Sequence, residues 1–181
     1  MAYTAIDDPE LYFQVATWTG DGSSKSFTFS GENDMQANLL WAKANAGHSS
    51  TWVDSVRGVD NRMLHTNNTD VEDTTNAHGH FDSLDSNGFT VTYAGGGWNV
   101  NRSAITYRGW SWKESATAGF DIVSFTGNVT DEQTIAHSLS AAPEFILVKN
   151  RADEINWGAL HMHASVSNAG DAETDIMYFN A

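Results

Sequence analysis

Apolar positions fall in short runs rich in aromatic and β-branched residues, with polar turns such as TGDGSS, ANAGHSS, DSNG and AGGG between them. This pattern predicts strands over residues 11–18, 26–29, 39–43, 52–56, 88–93, 104–112, 120–125, 145–149 and 157–161. Helical spacing is confined to a turn or two at 35–45 and 131–136. In SNG (86–88) the Asn-Gly pair tolerates positive φ twice, which favours a tight hairpin. ITYRGWSWK (105–113) sets Ile105, Tyr107, Gly109 and Ser111 against Thr106, Arg108, Trp110 and Trp112. Neither face is purely apolar, so this strand should have different surroundings on its two sides. Many short strands with Gly-rich turns predict an all-β fold, an antiparallel β-sandwich or barrel.

The pattern also repeats. FQVATWTGDG (13–22) returns as FDIVSFTGNV (120–129), NLLWAKAN (38–45) matches EFILVKNR (144–151), and Trp52 falls over Trp157. The offset drifts from 107 to 105, as small loop deletions would make it. A unit of about a hundred residues is a domain, not a solenoid repeat. We therefore expect an extended arm at 1–10, a first sandwich at 11–115 and a second, related unit at 119–181. The second copy contains no counterpart of SNGFTVTY or YRGWSWK. Half a sandwich exposes an apolar face and unpaired edges. Either the natural chain continues or these strands pair with a partner, and continuation is the simpler reading.

Charge removes several functions. The net charge is −14, and the nine Lys and Arg are scattered. A nucleic-acid binder needs a clustered basic face, so neither nucleic acid nor an anionic membrane is expected as a partner. No stretch is apolar enough for a membrane span, and two aspartates stand where a signal peptide needs a basic flank. The expectation is a soluble, acidic, non-secreted chain. Without cysteine, stability owes nothing to disulfides.

TAIDDPELYFQV, TGDGSS, LLWAK, DSVRG (54–58), SNGFTV, YRGWSWK and GFDIVSFTGN…HSLSAAPEFILVKNR together resemble one domain family. That family occurs, often in tandem, in tail-fibre and other virion structural proteins of marine and cyanobacterial phages. Its most specific marker is H-x-L-x-x-x-P-x-[FL]-I-x-V-K-N-R, here 137–151. Where the first copy would carry P-D-x-x-W-I-K, this chain has QANLLWAK (36–43). The resemblance implies a concanavalin A-like jelly roll of the lectin/glucanase type, located in the virion and made in the host cytoplasm. It implies a homo-oligomer, trimeric in some fibres, that meets tail or capsid proteins and a host glycan.

Candidate chemistry is sparse. A glucanase needs two carboxylates across a cleft, and no Glu-x-Asp-x-x-Glu pattern is present. No Gly-x-Ser-x-Gly or thiol nucleophile exists either, so no enzymatic activity and no cofactor are expected. His78 with His80, and His161 with His163, have the spacing to chelate a transition metal from one strand face. Simple packing of these histidines is the stronger reading. Calcium at Asp82, Asp85 and Asn87 competes with ordinary hairpin chemistry, and the hairpin is favoured. Glycan binding needs an exposed aromatic with amides nearby, which GGGWNVNR offers in Trp98, Asn99, Asn101 and Arg102. Against it, Trp98 can pad a neighbouring subunit. Tyr3, Ile6 and Tyr12 make the N-terminus too apolar for a free tail, so they are expected to anchor the chain to the particle. Pro9 should keep that segment extended up to Leu11.

Overall fold

The computed structural model describes residues 6–45, 47–48, 50–75, 77, 79–95, 100–130, 132–162 and 177–180. Eight strands come from the first copy: β1 (Phe13–Thr19), β2 (Lys25–Thr28), β3 (Leu39–Ala44), β4 (Ser50–Asp54), β5 (Leu64–His65), β6 (His80–Asp85), β7 (Gly88–Thr92) and β8 (Thr106–Trp112). The second copy gives β9 (Phe145–Val148), β10 (Gly158–His161) and β11 (Met177–Tyr178). All pairings are antiparallel, in sheets ordered β1-β8-β3-β4-β5, β2-β7-β6 and β11-β10-β9. The chain is an all-β antiparallel sandwich.

The core lies between the first two sheets. Because side chains alternate along a strand, β3 sends Leu40, Ala42 and Ala44 inward, while Trp41 and Lys43 point the other way. Trp18 of β1 stacks on Tyr107 of β8 with ring centroids 5.2 Å apart, and meets Phe27 and Phe89 of the opposite sheet at 5.1 and 5.2 Å. Phe81 and Phe89 have no exposed surface. Each such side chain contributes about 1.5–3 kcal/mol by burial. Tyr107, Gly109 and Ser111 of β8 are buried on the core face, while Trp110 and Trp112 are half-buried on the outer one. Gly109 relieves crowding there: a Cβ would sit 3.0 Å from Leu40 Cδ1 and 3.3 Å from Trp18 Cζ3, so either side chain would have to shift.

Several elements differ from the expectations. The strand expected at 120–125 is absent; only Phe120 pairs, in an isolated bridge to Ser115. The helical spacing at 35–45 resolves into β3, and none of the described residues of 131–136 is helical. The segment before β1 is not fully extended. Asp8 caps a 3-10 turn over Pro9–Leu11, accepting from the Glu10 N–H at 2.9 Å, and proline is pre-set for that position. The β6–β7 hairpin closes at Asp85 and Gly88, so Ser86 and Asn87 form its corner. Its glycine serves close approach to β2, since a Cβ at Gly88 would lie 1.9 Å from the Phe27 carbonyl oxygen.

Candidate functional site

The outer face of the first sheet carries a tryptophan row built by register: Trp41 lies opposite Trp52 on one side and Trp110 on the other. Trp157 covers Trp52 at 5.5 Å and Phe179 covers Trp41 at 5.5 Å. The two copies therefore meet through this face, and Trp157 is left only 3% exposed. Its indole N–H donates to the His65 carbonyl at 2.9 Å. Burial holds the His65 imidazole pKa below its ordinary value, with Asp73 and Asp70 pulling weakly the other way.

Beside this row lies a buried ion cluster. The Arg57 side chain donates to Asp54 Oδ2 at 2.6 Å, to Glu72 Oε1 at 2.7 Å and to the Arg62 carbonyl at 2.9 Å. Asp54, Arg57 and Glu72 are each nearly fully buried. Glu72 extends the cluster to the second copy, where its N–H donates to the Arg151 carbonyl and its Oε2 lies 3.5 Å from the Arg151 guanidinium. Lys149 adds a second tie, donating to the Thr69 carbonyl at 3.1 Å as well as to Asp153 and Ile155 in its own hairpin loop. Desolvation lowers the Lys149 pKa. Lys43, its counterpart, likewise donates to a carbonyl of its own hairpin loop, at His48. DSVRG was visible as a motif, and its Asp-x-x-Arg spacing between two strands was the available signal for the clip. Glu72 could not be read from spacing.

Among the described residues, His80 is the candidate histidine that the fold places in a cluster. Its Nε2 lies 3.1 Å from Asp60 Oδ1 and 3.6 Å from Asp82 Oδ1, with the imidazole buried and both carboxylates exposed. One imidazole and two carboxylates are donors that a divalent transition ion accepts. The support is incomplete, because His80 Nδ1 is buried with no partner, whereas a ligating histidine normally donates its other N–H. The expected partner His78 lies outside the described residues, as does His163. His161 is half-buried with its ring 6.2 Å from Phe145 and joins no ligand cluster among the described residues. The calcium set is not assembled. Asp85 accepts from the Ser83 and Thr90 hydroxyls, Asn87 bonds Asp34 and Met35, and Asp82 belongs to the His80 group.

The glycan reading changes at Asn101. Its side chain is fully buried, donating to Asp21 Oδ1 at 3.0 Å and the Ser23 carbonyl at 2.8 Å, so it braces the β1–β2 turn and presents no surface to a sugar. Arg102 is exposed, and Trp98 and Asn99 lie outside the described residues. Of the anchoring residues, Ile6 and Tyr12 are half-buried and Tyr3 lies outside. Their segment docks on the chain's own loop: Asp8 accepts from Asn33, and Glu10 accepts from the Glu32 N–H at 2.7 Å.

One carboxylate pair was missed by spacing. The bridge between Ser115 and Phe120 folds the chain back, bringing Asp121 against Glu114. Burial and then the neighbouring acid raise the Glu114 pKa, while Asp121 is lowered, chiefly by the Ser138 N–H. Both carboxylates serve the backbone, Glu114 accepting from Ile122 at 3.0 Å and Asp121 from Ser138 at 2.6 Å. The pair is a brace for the start of the second copy.

A family model, described as a domain of unknown function (DUF7483), matches residues 8–180. No curated protein and no solved structure matches the chain.

Proposed function

Since the chain belongs to the DUF7483 family, whose function is unknown, we propose its task from its surface: it is a non-enzymatic structural component that works by assembling with other proteins. The observation that carries this reading is where the exposed apolar surface lies. Among the described residues, nine of the fourteen exposed large apolar side chains belong to residues 119–180. Val123, Phe125, Phe145, Val148, Met177 and Tyr178 are among them, each at least 41% exposed. Surface of this kind, concentrated in one part of a chain, marks a contact site. Net charge of −14 makes another protein or a neutral glycan a better partner than nucleic acid.

The resemblance of the sequence to phage virion proteins supplies the finer reading. We place the protein in the particle as a homo-oligomeric tail-fibre or appendage component, its N-terminal part toward the particle and its distal parts toward the host receptor. Antibody labelling of intact virions tests this. Label along tail fibres is the expected result. Label distributed over the capsid would make the chain a decoration protein, and depolymerisation of host polysaccharide by the purified protein would make it an enzyme.

A further inference from the structure

The β4–β5 loop and the start of β6 bring three side chains together from the two sheets of the first sandwich. β4 and β5 belong to the five-stranded sheet, and β6 to the sheet of β2, β7 and β6. Asp60 stands in the loop, His80 opens β6 and Asp82 follows two positions later. The ligand atoms of all three lie within 4.8 Å of one another.

The fold sets each of them in place. Val59, next to Asp60, packs against the core, and Arg57 ties down the same loop by donating to the Arg62 carbonyl. On β6, Phe81 turns into the core and His80 takes the opposite face. The pairing with β7 skips Asp82, a bulge of the kind that re-aims a side chain, and here it leaves that carboxylate beside His80. The His80 side chain is 6% exposed, yet its Nε2 faces both carboxylates, at 3.1 Å from Asp60 and 3.6 Å from Asp82. Two ligand atoms each about 2.1 Å from one ion are roughly 3.0 Å apart at a right angle and roughly 3.4 Å apart at the tetrahedral angle. The observed separations are close to those of a shared coordination shell. Among the described residues, no lysine or arginine pairs with either carboxylate, so the chain itself supplies no permanent cation there.

We propose that Asp60, His80 and Asp82 bind one divalent transition-metal ion of the zinc type. A single imidazole nitrogen with two carboxylate oxygens suits such an ion better than calcium, which takes oxygen ligands. Water completes the shell on the solvent side, where both aspartates are exposed. The ion joins the β4–β5 loop to β6 and so clips one sheet to the other. His80 Nδ1 lacks the acceptor that usually supports a ligating histidine, a lack that typically costs tenfold to about a hundredfold in affinity, so binding is expected in the micromolar range. This inference rests on the geometry of the three residues and is independent of any role in a virion.

The test is calorimetric titration of the full chain, freed of metal by chelation, with zinc chloride. One equivalent should bind, and the melting temperature should rise with zinc. Asp60→Asn and Asp82→Asn, both at exposed positions and so expected to fold normally, should each weaken binding at least about tenfold, whereas His161→Ala should leave it unchanged. Calcium should bind at least about tenfold more weakly than zinc. No saturation by about 1 mM zinc would overturn the proposal. So would binding that survives both aspartate substitutions, since the ion would then sit elsewhere. Equal affinity for calcium would also overturn it, because His80 would then not be a ligand.

Discussion

FQVATWTG and FDIVSFTG are nearly the same phrase, yet the first is a strand for its whole central length and the second joins no ladder beyond one bridge. Propensity does not separate them, since both are rich in β-branched and aromatic residues. What differs is the neighbour. Residues 13–19 pair with β8 at every position, whereas residues 121–128 pair with no strand among the described residues. The burial pattern follows: the aromatic ring at the sixth position is buried as Trp18 and half exposed as Phe125. Strand propensity describes fitness for a sheet, and a strand exists only where a ladder is offered.

The same comparison ranks the expected consequences of mutation. Truncating the paired aromatics should give the largest contrast. Trp18→Ala should cost about 3–5 kcal/mol, whereas Phe125→Ala should change stability by less than about 0.5 kcal/mol. Urea unfolding of both variants measures it, and equal costs would break the comparison.

Next is the clip that ties the copies together. Arg57→Ala leaves the Asp54 carboxylate buried without its cation, while Glu72 keeps Arg62 and Arg151, and this should cost about 3 kcal/mol. Loss of protection around Arg151 and Trp157, seen by hydrogen exchange, would show that the clip also holds the second copy in place. Gly109→Val should be milder, about 1–3 kcal/mol of overpacking against Leu40 and Trp18. A stabilised protein there would mean that β8 is less tightly enclosed than its contacts indicate.

The smallest effect is one of pH. Burial lowers the His65 pKa from 6.5, so the unfolded chain binds the proton first as the pH falls. Its contribution is neutral above pH 6.5 and becomes destabilising below it. Glu114 acts in the opposite sense: its raised pKa stabilises the fold below its ordinary 4.5 and that stabilisation fades as the pH rises through the folded value. On going from pH 7 to 5, the wild type should therefore lose stability relative to His65→Gln.

Most of the first sandwich was legible because β1, β3, β4, β7 and β8 carry aromatic or β-branched residues with clear turns between them. β5 was not, being two residues long, and β6 was hidden because four of the six residues of HFDSLD are polar and only the first two are buried. The strand expected at 120–125 failed for want of a ladder, which no local window can show. Even where the repeat holds, its register moves. Ala159 lies opposite Leu147, where strict correspondence with Trp41 and Trp52 would put Trp157. The slip of two positions keeps every side chain on its face. The chemistry was less legible. His80 stood out, but its partner Asp60 is twenty positions away in another loop, and Asn101 looked like a sugar contact until the fold buried it.

Native-state hydrogen exchange across the two matching phrases tests the central claim most directly. Amides within Phe13–Thr19 that bond to β8 should exchange only on global opening, while those of 123–127 should exchange as freely as an exposed loop. Comparable protection in both phrases would contradict it, because residues 120–127 would then already have the strand partner that the fold denies them.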